Sequence, residues 1–301
     1  IGPLGYIKKL GEMNKVFKKT LNEYAGASYI CRVPGKIGGR FASYLIKKKI
    51  PYAVEVVGDP WDVYAPGNVK HILSPLFRLI EFCNLKKVVS HAAASLYVTK
   101  NMLQKRYPSS QNTFTTFASN VFIPDSSFNN ERAKIKIDLS LGVKLIAIGS
   151  LAQMYKAPDV VLEALKILKQ KGYKFHMKWL GDGVFKQEMI EYAEKLDLSK
   201  DVEFIGNIPS GDPVRAELKQ SNLFIHVSRT EGLPRAMVEA MSIGLPCIGT
   251  TVGGIPELLQ ETALIPPNNA EKLASKIIEY ISNQNLMNNQ GTRNYEAAKE
   301  Y

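Results

Sequence analysis

Cysteine is scarce in this 301-residue sequence: Cys31, Cys83 and Cys247 stand far apart, with no CxxC pair and no other metal-ligand spacing. That excludes a disulfide framework and a cysteine-ligated zinc site, and it fits a reducing cytoplasm in which the thiols are buried as small hydrophobes. Long apolar runs are missing as well. No stretch approaches the roughly 18 apolar residues that a membrane-spanning helix needs. The chain opens on Ile1, with neither an initiator methionine nor a signal-peptide pattern. The histidines His71, His91 and His176 show no ligand spacing, so no metal site is expected, and His226 reads as a packing residue at the end of a strand. Acid is short in one half only. Residues 1–140 carry 21 Lys and Arg against 9 Asp and Glu, and residues 141–301 carry 18 against 19, so the net charge of +11 belongs to the first half. Such a half suits contact with something anionic, whether nucleic acid, a membrane surface or a phosphate-bearing substrate; solvated helix faces are the plain alternative.

What is present is an alternation. In the first half, residues 6–24 read as a helix, 28–35 as a strand, 38–49 as a helix and 51–60 as a buried strand. A long helix around 68–90, a strand at 94–99 and a helix at 100–107 follow. Residues 108–142 are rich in Ser, Asn and Pro, lose all periodicity and read as a linker. From 143 onward strands at 143–150, 174–183, 202–208, 222–228 and 246–251 alternate with helices at 157–172, 184–198, 212–220 and 234–243, before a last strand at 263–267 and two helices. Strict alternation predicts a parallel sheet covered on both faces, a doubly wound Rossmann-like domain. The domains expected are 1–140, part of a first such unit plus the linker, and 141–301.

In open parallel sheets ligands bind beyond the carboxyl ends of the strands. Glu231, just past the strand at 222–228, falls there, and Pro234 suits the first turn of the next helix because no amide hydrogen bond is needed at that position. The amides of Gly232 and Leu233 and the dipole of that helix form an anion site between Glu231 and Glu239. Eight helical residues rise about 12 Å, the span of a ribose, a diphosphate and the near edge of a sugar.

These residues resemble the retaining GT-B glycosyltransferases, the group 1 transferases, with their E-x7-E motif. The resemblance implies two Rossmann-like domains facing a cleft, the first incomplete here, and a nucleotide-diphosphate sugar as donor. It gives Glu231 the donor-sugar hydroxyls and Glu239 the ribose. The plain alternative is that Glu231 caps a helix and Glu239 is a solvated acid. "IGSLAQMYKAPDVVLEAL" (148–165) resembles the family segment in which an Arg and a Lys six apart neutralise the diphosphate. Lys156 matches the Lys; Ser150 stands where the Arg is usual, which leaves Arg235 or backbone amides to meet the second charge. "WLGDG" (179–183), "VEFIGNIP" (202–209) and "VGGIPELL" (252–259) recur in the family in this order. There Gly181 and Gly183 admit a close backbone approach, and Asn207 and Ile208 flank the base. On this scheme the leaving phosphate helps to deprotonate the acceptor, and neither metal nor resident cofactor is required.

The first half is similar to the later part of an acceptor-side domain from bacterial polysaccharide transferases. Asp59, in "VVGDPWD", follows a buried strand and is a candidate acceptor-side catalytic residue, the other reading being a helix-cap or turn Asp. The family's opening strand, Gly-rich loop and closing helix are not visible, so the chain reads as a fragment. A cytoplasmic enzyme is expected. It would act on a glycan or lipid-linked acceptor, with its lysines offering contact to an anionic membrane face and with no nucleic acid as partner. Two rival classes stand beside it: an epimerase of nucleotide sugars on the same scaffold, and a noncatalytic or nucleic-acid-binding protein that uses the basic half.

Overall fold

The computed structural model describes residues 9–66, 68, 69, 71–119, 121, 123, 124, 128 and 137–301. Two compact units emerge: Ile1–Trp61 with Leu76–Ala118, and Asp62–Pro75 with Ser119–Tyr301. The division therefore falls earlier than the boundary expected at 140, and the second unit includes a segment, 62–75, that sequence order alone assigns to the first.

The first unit holds a four-stranded sheet in the order β1 (Ile30–Val33), β2 (Ala53–Val56), β3 (Ala94–Tyr97), β4 (Phe114–Phe117), with every pair parallel. Burial alternates along β1: Cys31 and Val33 are buried while Ile30 and Arg32 are exposed. Among the described residues only one face of this sheet is covered. The crossovers are the helices Lys36–Lys48, Ser74–Ser90 and Met102–Arg106, and the helix Leu10–Glu23 packs Phe17 against the rings of Phe41 and Tyr44, 4.9 and 5.8 Å away. The expected linker contains β4. That strand lies at the sheet edge with all four residues exposed, so neither apolar alternation nor a buried run marked it. Residues 120, 122, 125–127 and 129–136 of the linker lie outside the described residues. Cys31 and Cys247 are buried as expected, and burial pushes the Cys31 thiol up to about 11. Cys83 instead lies on the exposed side of Ser74–Ser90.

The second unit is the doubly wound sheet that the alternation predicts, six parallel strands in the order β10-β9-β8-β5-β6-β7. These are β5 (Val143–Ile148), β6 (Phe175–Leu180), β7 (Val202–Gly206), β8 (Leu223–His226), β9 (Cys247–Thr250) and β10 (Leu264–Ile265). The chain builds outward from β5 to β7, then returns to the other side of β5 for β8. Adjacent crossovers thus leave in opposite directions between β5 and β8, and a crevice opens beyond their carboxyl ends. Helices cover both faces, so β8 and β9 are buried at every residue. The helix Pro158–Gln170 shows why the pattern was readable: Val161, Leu162, Leu165 and Leu168 recur at helical spacing and all are buried.

Candidate functional site

The crevice between β5 and β8 is where the sequence placed its motifs. β8 ends at His226, and the loop after it carries Ser228, Arg229 and Glu231. β5 ends at Ile148; after Gly149 and Ser150 the chain makes a tight turn over Met154–Lys156, and Ala157 at φ 51° hands it to the helix beginning at Pro158. The stem of Lys156 lies across Gly149, where a Cβ would come within 2.6 Å of its Cγ. Glycine at 149 is what lets the lysine cross the strand end.

Lys156 and Glu231 meet. The ammonium donates to Glu231 Oε2; the same oxygen lies 2.9 Å from His226 Nε2 and accepts from Ser228 Oγ at 3.1 Å. The Lys156 and Glu231 side chains are 24% and 14% exposed and that of His226 is 3%, so the cluster is largely withdrawn from water but not sealed. Burial alone would raise the Glu231 pKa. Lys156, followed by the hydrogen bond from His226, overrides it and holds the carboxyl well below the usual carboxylate range. Burial, reinforced by the Lys156 charge, holds His226 below its usual range, against the pull of Glu231. An ionised carboxylate only accepts, so Nε2 of the neutral imidazole carries the proton. All three donors converge on Oε2, and no described residue donates to Oε1. Glu231 is pinned by one oxygen and presents the other.

His226 was expected only to pack. It does stack on Phe224, with the ring planes 15° apart, yet its polar edge belongs to the site. A strand in which all four residues are buried carries no alternation to single it out.

Arg229 is the second residue that the sequence did not flag. Its guanidinium grips Asp159 with two bonds, Nη1 to Oδ1 at 2.9 Å and Nη2 to Oδ2 at 2.6 Å, and also donates to the Met154 carbonyl (2.7 Å) and Asn268 Oδ1 (2.6 Å). Its backbone amide donates to the Tyr155 carbonyl at 2.7 Å. From segment 62–75 of the same unit, the Asn68 amide donates to the Arg229 carbonyl at 3.0 Å. The loop bearing Glu231 and the turn bearing Lys156 are therefore fastened to each other through Arg229.

Glu239 is half-buried on the helix Arg235–Ser242, and no described residue forms a hydrogen bond to its carboxylate. Burial raises its pKa, partly offset by Arg235 and Arg215. Pro234 is not in the first turn as expected; it precedes the helix in extended backbone, φ −77° and ψ 105°, and its carbonyl accepts from Met237 N at 3.1 Å. Only the stretch from Arg235 to Glu239 is helical, so the separation of the two acids is not a helical rise of eight residues. Gly232 and Leu233 lie in the intervening loop, and Arg235 is exposed at the helix start.

Gly181 and Gly183 sit at the carboxyl end of β6, at φ +137° and +157°. A Cβ on Gly183 would fall 2.1 Å from the Leu151 carbonyl carbon, and one on Gly181 would fall 2.1 Å from the Gly149 carbonyl oxygen. Ser150 is exposed beside them, its hydroxyl accepting from Ala152 N at 3.2 Å. Asn207 and Ile208 follow β7, exposed and half-buried respectively. On the other flank Gly253, φ +51°, would put a Cβ 2.0 Å from the Glu231 carbonyl oxygen. Among the described residues no group of three or more His, Cys, Asp and Glu side chains could hold a metal ion.

Asp59 belongs to the first unit and is buried there; its carboxylate accepts from Tyr107 Oη at 2.6 Å, from Trp61 N at 2.9 Å and from Arg106. The Trp61 contact is the one that a helix-cap Asp makes.

The profile of the glycosyl transferases group 1 family matches residues 130–297, more than half of the chain. The chain belongs to that family. Its relatives include "Protein CapJ" of Staphylococcus aureus, 30% identical over 268 residues, which are 87% of this chain and 65% of CapJ. The amylovoran biosynthesis glycosyltransferase AmsK of Erwinia amylovora is 29% identical over 154 residues, 48% of this chain and 37% of AmsK. This group 1 chain thus spans less than two thirds of the length of either relative. Among solved structures, Anabaena HepE in complex with UDP-glucose superposes with a TM-score of 0.64 over 99% of this chain and 79% of HepE, at 17% identity. The fold is GT-B, two Rossmann-like units each built on a parallel sheet.

The protonation states predict how this group 1 site responds to acid. Below its ordinary value of 6.5, His226 takes up a proton in the unfolded chain that the folded site resists, so it removes stability as pH falls through that value. Thermal melting of the wild type and of His226→Gln between neutral and mildly acidic pH will show the wild type losing more. Parallel curves would mean that His226 titrates normally.

Proposed function

We propose that this chain carries the donor half of a glycosyltransferase that moves a sugar from a nucleotide-diphosphate sugar to a glycan or lipid-linked acceptor, with retention of configuration. The observation that carries this reading is the one Glu231 oxygen to which no described residue donates, held beside Lys156 at the switch point of the sheet. Oε1 accepts hydroxyls of the donor sugar. Lys156 lies where negative charge grows as the bond between the anomeric carbon and the diphosphate oxygen breaks. The acceptor oxygen bonds to the same face of that carbon, and its proton passes to the departing phosphate. Glu239, whose carboxylate accepts no hydrogen bond from any described residue, takes the ribose hydroxyls; Gly181, Gly183, Asn207 and Ile208 line the nucleotide. Gly232, Leu233 and Arg235 meet the phosphates together with Ser150. The nucleotide sugar is a substrate here, and no resident cofactor enters the steps.

The name of AmsK supports an acceptor of the glycan class, and HepE with UDP-glucose suggests the first donor to try. A panel of UDP-, GDP- and TDP-sugars, offered with and without acceptor glycans, tests the reading. Nucleotide diphosphate released in step with glycan extension supports it. Interconversion of donor sugars without release would identify an epimerase, and no affinity for any nucleotide diphosphate would overturn both.

A further inference from the structure

The stretch "VVGDPWD" ends on a second aspartate, Asp62, which belongs to the unit that holds Glu231. Asp62 Oδ2 accepts from Gly253 N at 3.1 Å, while the Asp62 carbonyl accepts from Ala65 N at 3.1 Å and from Asn68 Nδ2 at 2.7 Å. Asn68 N closes a further turn on the Ala65 carbonyl at 3.0 Å. Asp62 and Asn68 are thus linked through two consecutive turns, and each reaches out to a different loop. The Asn68 Nδ2 also donates to the Arg229 carbonyl at 3.0 Å, and Asn68 Oδ1 accepts from Asn268 Nδ2 at 3.5 Å. The loops after β8, β9 and β10 are therefore fastened by one short piece of chain that lies 161, 191 and 200 positions from its partners.

Gly253 is buried, so its N–H needs an acceptor, and Asp62 supplies one. On its other side Gly253 lies against Glu231: a Cβ there would fall 2.0 Å from the Glu231 carbonyl oxygen and 3.2 Å from Glu231 Cβ. Gly254 N then donates to the Gly232 carbonyl at 2.6 Å. A shift of Gly253 is therefore passed directly to the main chain of residues 231 and 232. The carboxylate of Glu231 is held by Lys156, His226 and Ser228, but all three meet Oε2. Three bonds on one oxygen fix a point and not a direction; where Oε1 points is set by the main chain that carries the side chain. We propose, on the reading of Glu231 as the donor-sugar residue, that Asp62 is a positioning residue for it: the bond to Gly253 N holds the loop after β9 against residues 231 and 232 and so aims Oε1. Asp62 acts through a hydrogen bond and not through its charge.

Two substitutions separate the bond from the charge. Asp62→Asn keeps an acceptor oxygen for Gly253 N and removes the charge, whereas Asp62→Ala removes both. With the donor sugar that the panel identifies, Asp62→Ala should lower kcat by about tenfold and change the affinity for the corresponding nucleotide diphosphate by less than about threefold. Asp62→Asn should stay within about threefold of the wild type in both. In a Glu231→Ala background Asp62→Ala should cost less than about threefold, because a residue that acts through Glu231 has nothing left to aim; a general weakening of the fold would cost the same factor in both backgrounds. Hydrogen exchange followed by mass spectrometry reads the positioning without turnover: exchange across 228–234 and 251–255 should quicken in Asp62→Ala and not in Asp62→Asn. If Asp62→Ala does not fold, Asn68→Ala, which releases the Arg229 carbonyl, takes its place with the same expected losses. Wild-type exchange or kcat in Asp62→Ala overturns the proposal, as does an Asp62→Asn as impaired as Asp62→Ala or an equal loss in both backgrounds. Each of those results leaves the donor site standing, whereas a wild-type chain without affinity for any nucleotide diphosphate would overturn both.

Discussion

Glu231→Ala will lower sugar transfer by roughly two to three orders of magnitude while changing the affinity for nucleotide diphosphate by less than about threefold. The asymmetry follows from where the carboxylate points. Oε2 is spent on Lys156, His226 and Ser228, so on the proposed reading the donor sugar meets only Oε1. A sugar hydroxyl bonded there is felt most when the anomeric carbon is becoming cationic, and contacts that strengthen in the transition state appear in kcat. Removing the acid also frees the Lys156 ammonium, which can then bind phosphate in the ground state and offset part of any lost affinity. Glu231→Gln separates these effects: it keeps the shape and removes the charge. Glu239→Ala should show the reverse pattern, weakening the nucleotide with a smaller loss of kcat. Isothermal titration with UDP and turnover measured on the same preparations decide the matter. Wild-type kinetics in Glu231→Ala would remove the residue from the reaction.

Arg229→Met will cost stability and activity together. The substitution strips a bidentate partner from Asp159 and donors from Met154 O and Asn268. Breaking a fully buried pair of this kind costs about 3–5 kcal/mol. Asp159, with its side chain 34% exposed, regains water, so we expect roughly 2 kcal/mol and a fall in Tm of several degrees. The loss of activity should exceed what unfolding explains, because the turn Met154–Lys156 is no longer tied to the loop of Glu231 and Lys156 samples other positions. Arg229→Lys should rescue little, since an ammonium cannot span both carboxylate oxygens and the Met154 carbonyl. Turnover measured well below the melting transition, with UDP affinity beside it, provides the check. Full activity in a folded Arg229→Met would show that Lys156 holds its place unaided.

The parts of the fold that were legible in the sequence are those where burial repeats. Helices such as Pro158–Gln170 and the central strands of the second unit announce themselves by apolar spacing, and so does the order in which they alternate. The meeting of Lys156 with Glu231, 75 residues apart in sequence, was legible as well, through the family segment that contains each. Elements whose role depends on a distant partner were not. Arg229 stands two residues from Glu231, but its meaning lies in Asp159, 70 positions away. An arginine two residues before a motif acid was the available signal. His226 hides within an apolar strand, and β4 is an edge strand exposed along its length, so neither leaves a periodic trace. The segment 62–75 packs with the second unit although the chain has yet to finish the first, an assignment that local pattern cannot carry.

The close approaches at Gly149, Gly183 and Gly253 bear on how this scaffold can be recombined. Each glycine vacates space for a neighbour from another loop: the Lys156 stem, the Leu151 carbonyl and the Glu231 carbonyl. The loops are therefore not separable cassettes. A graft that brings in a relative's segment around 253 with any side chain at that position would collide with the backbone of the recipient's own loop at Glu231, however well the graft suits its original host. Chimeras that exchange the loops after β5, β6, β8 and β9 as one set should survive where single-loop exchanges fail, and a library built on this chain should take those four loops as its unit of inheritance.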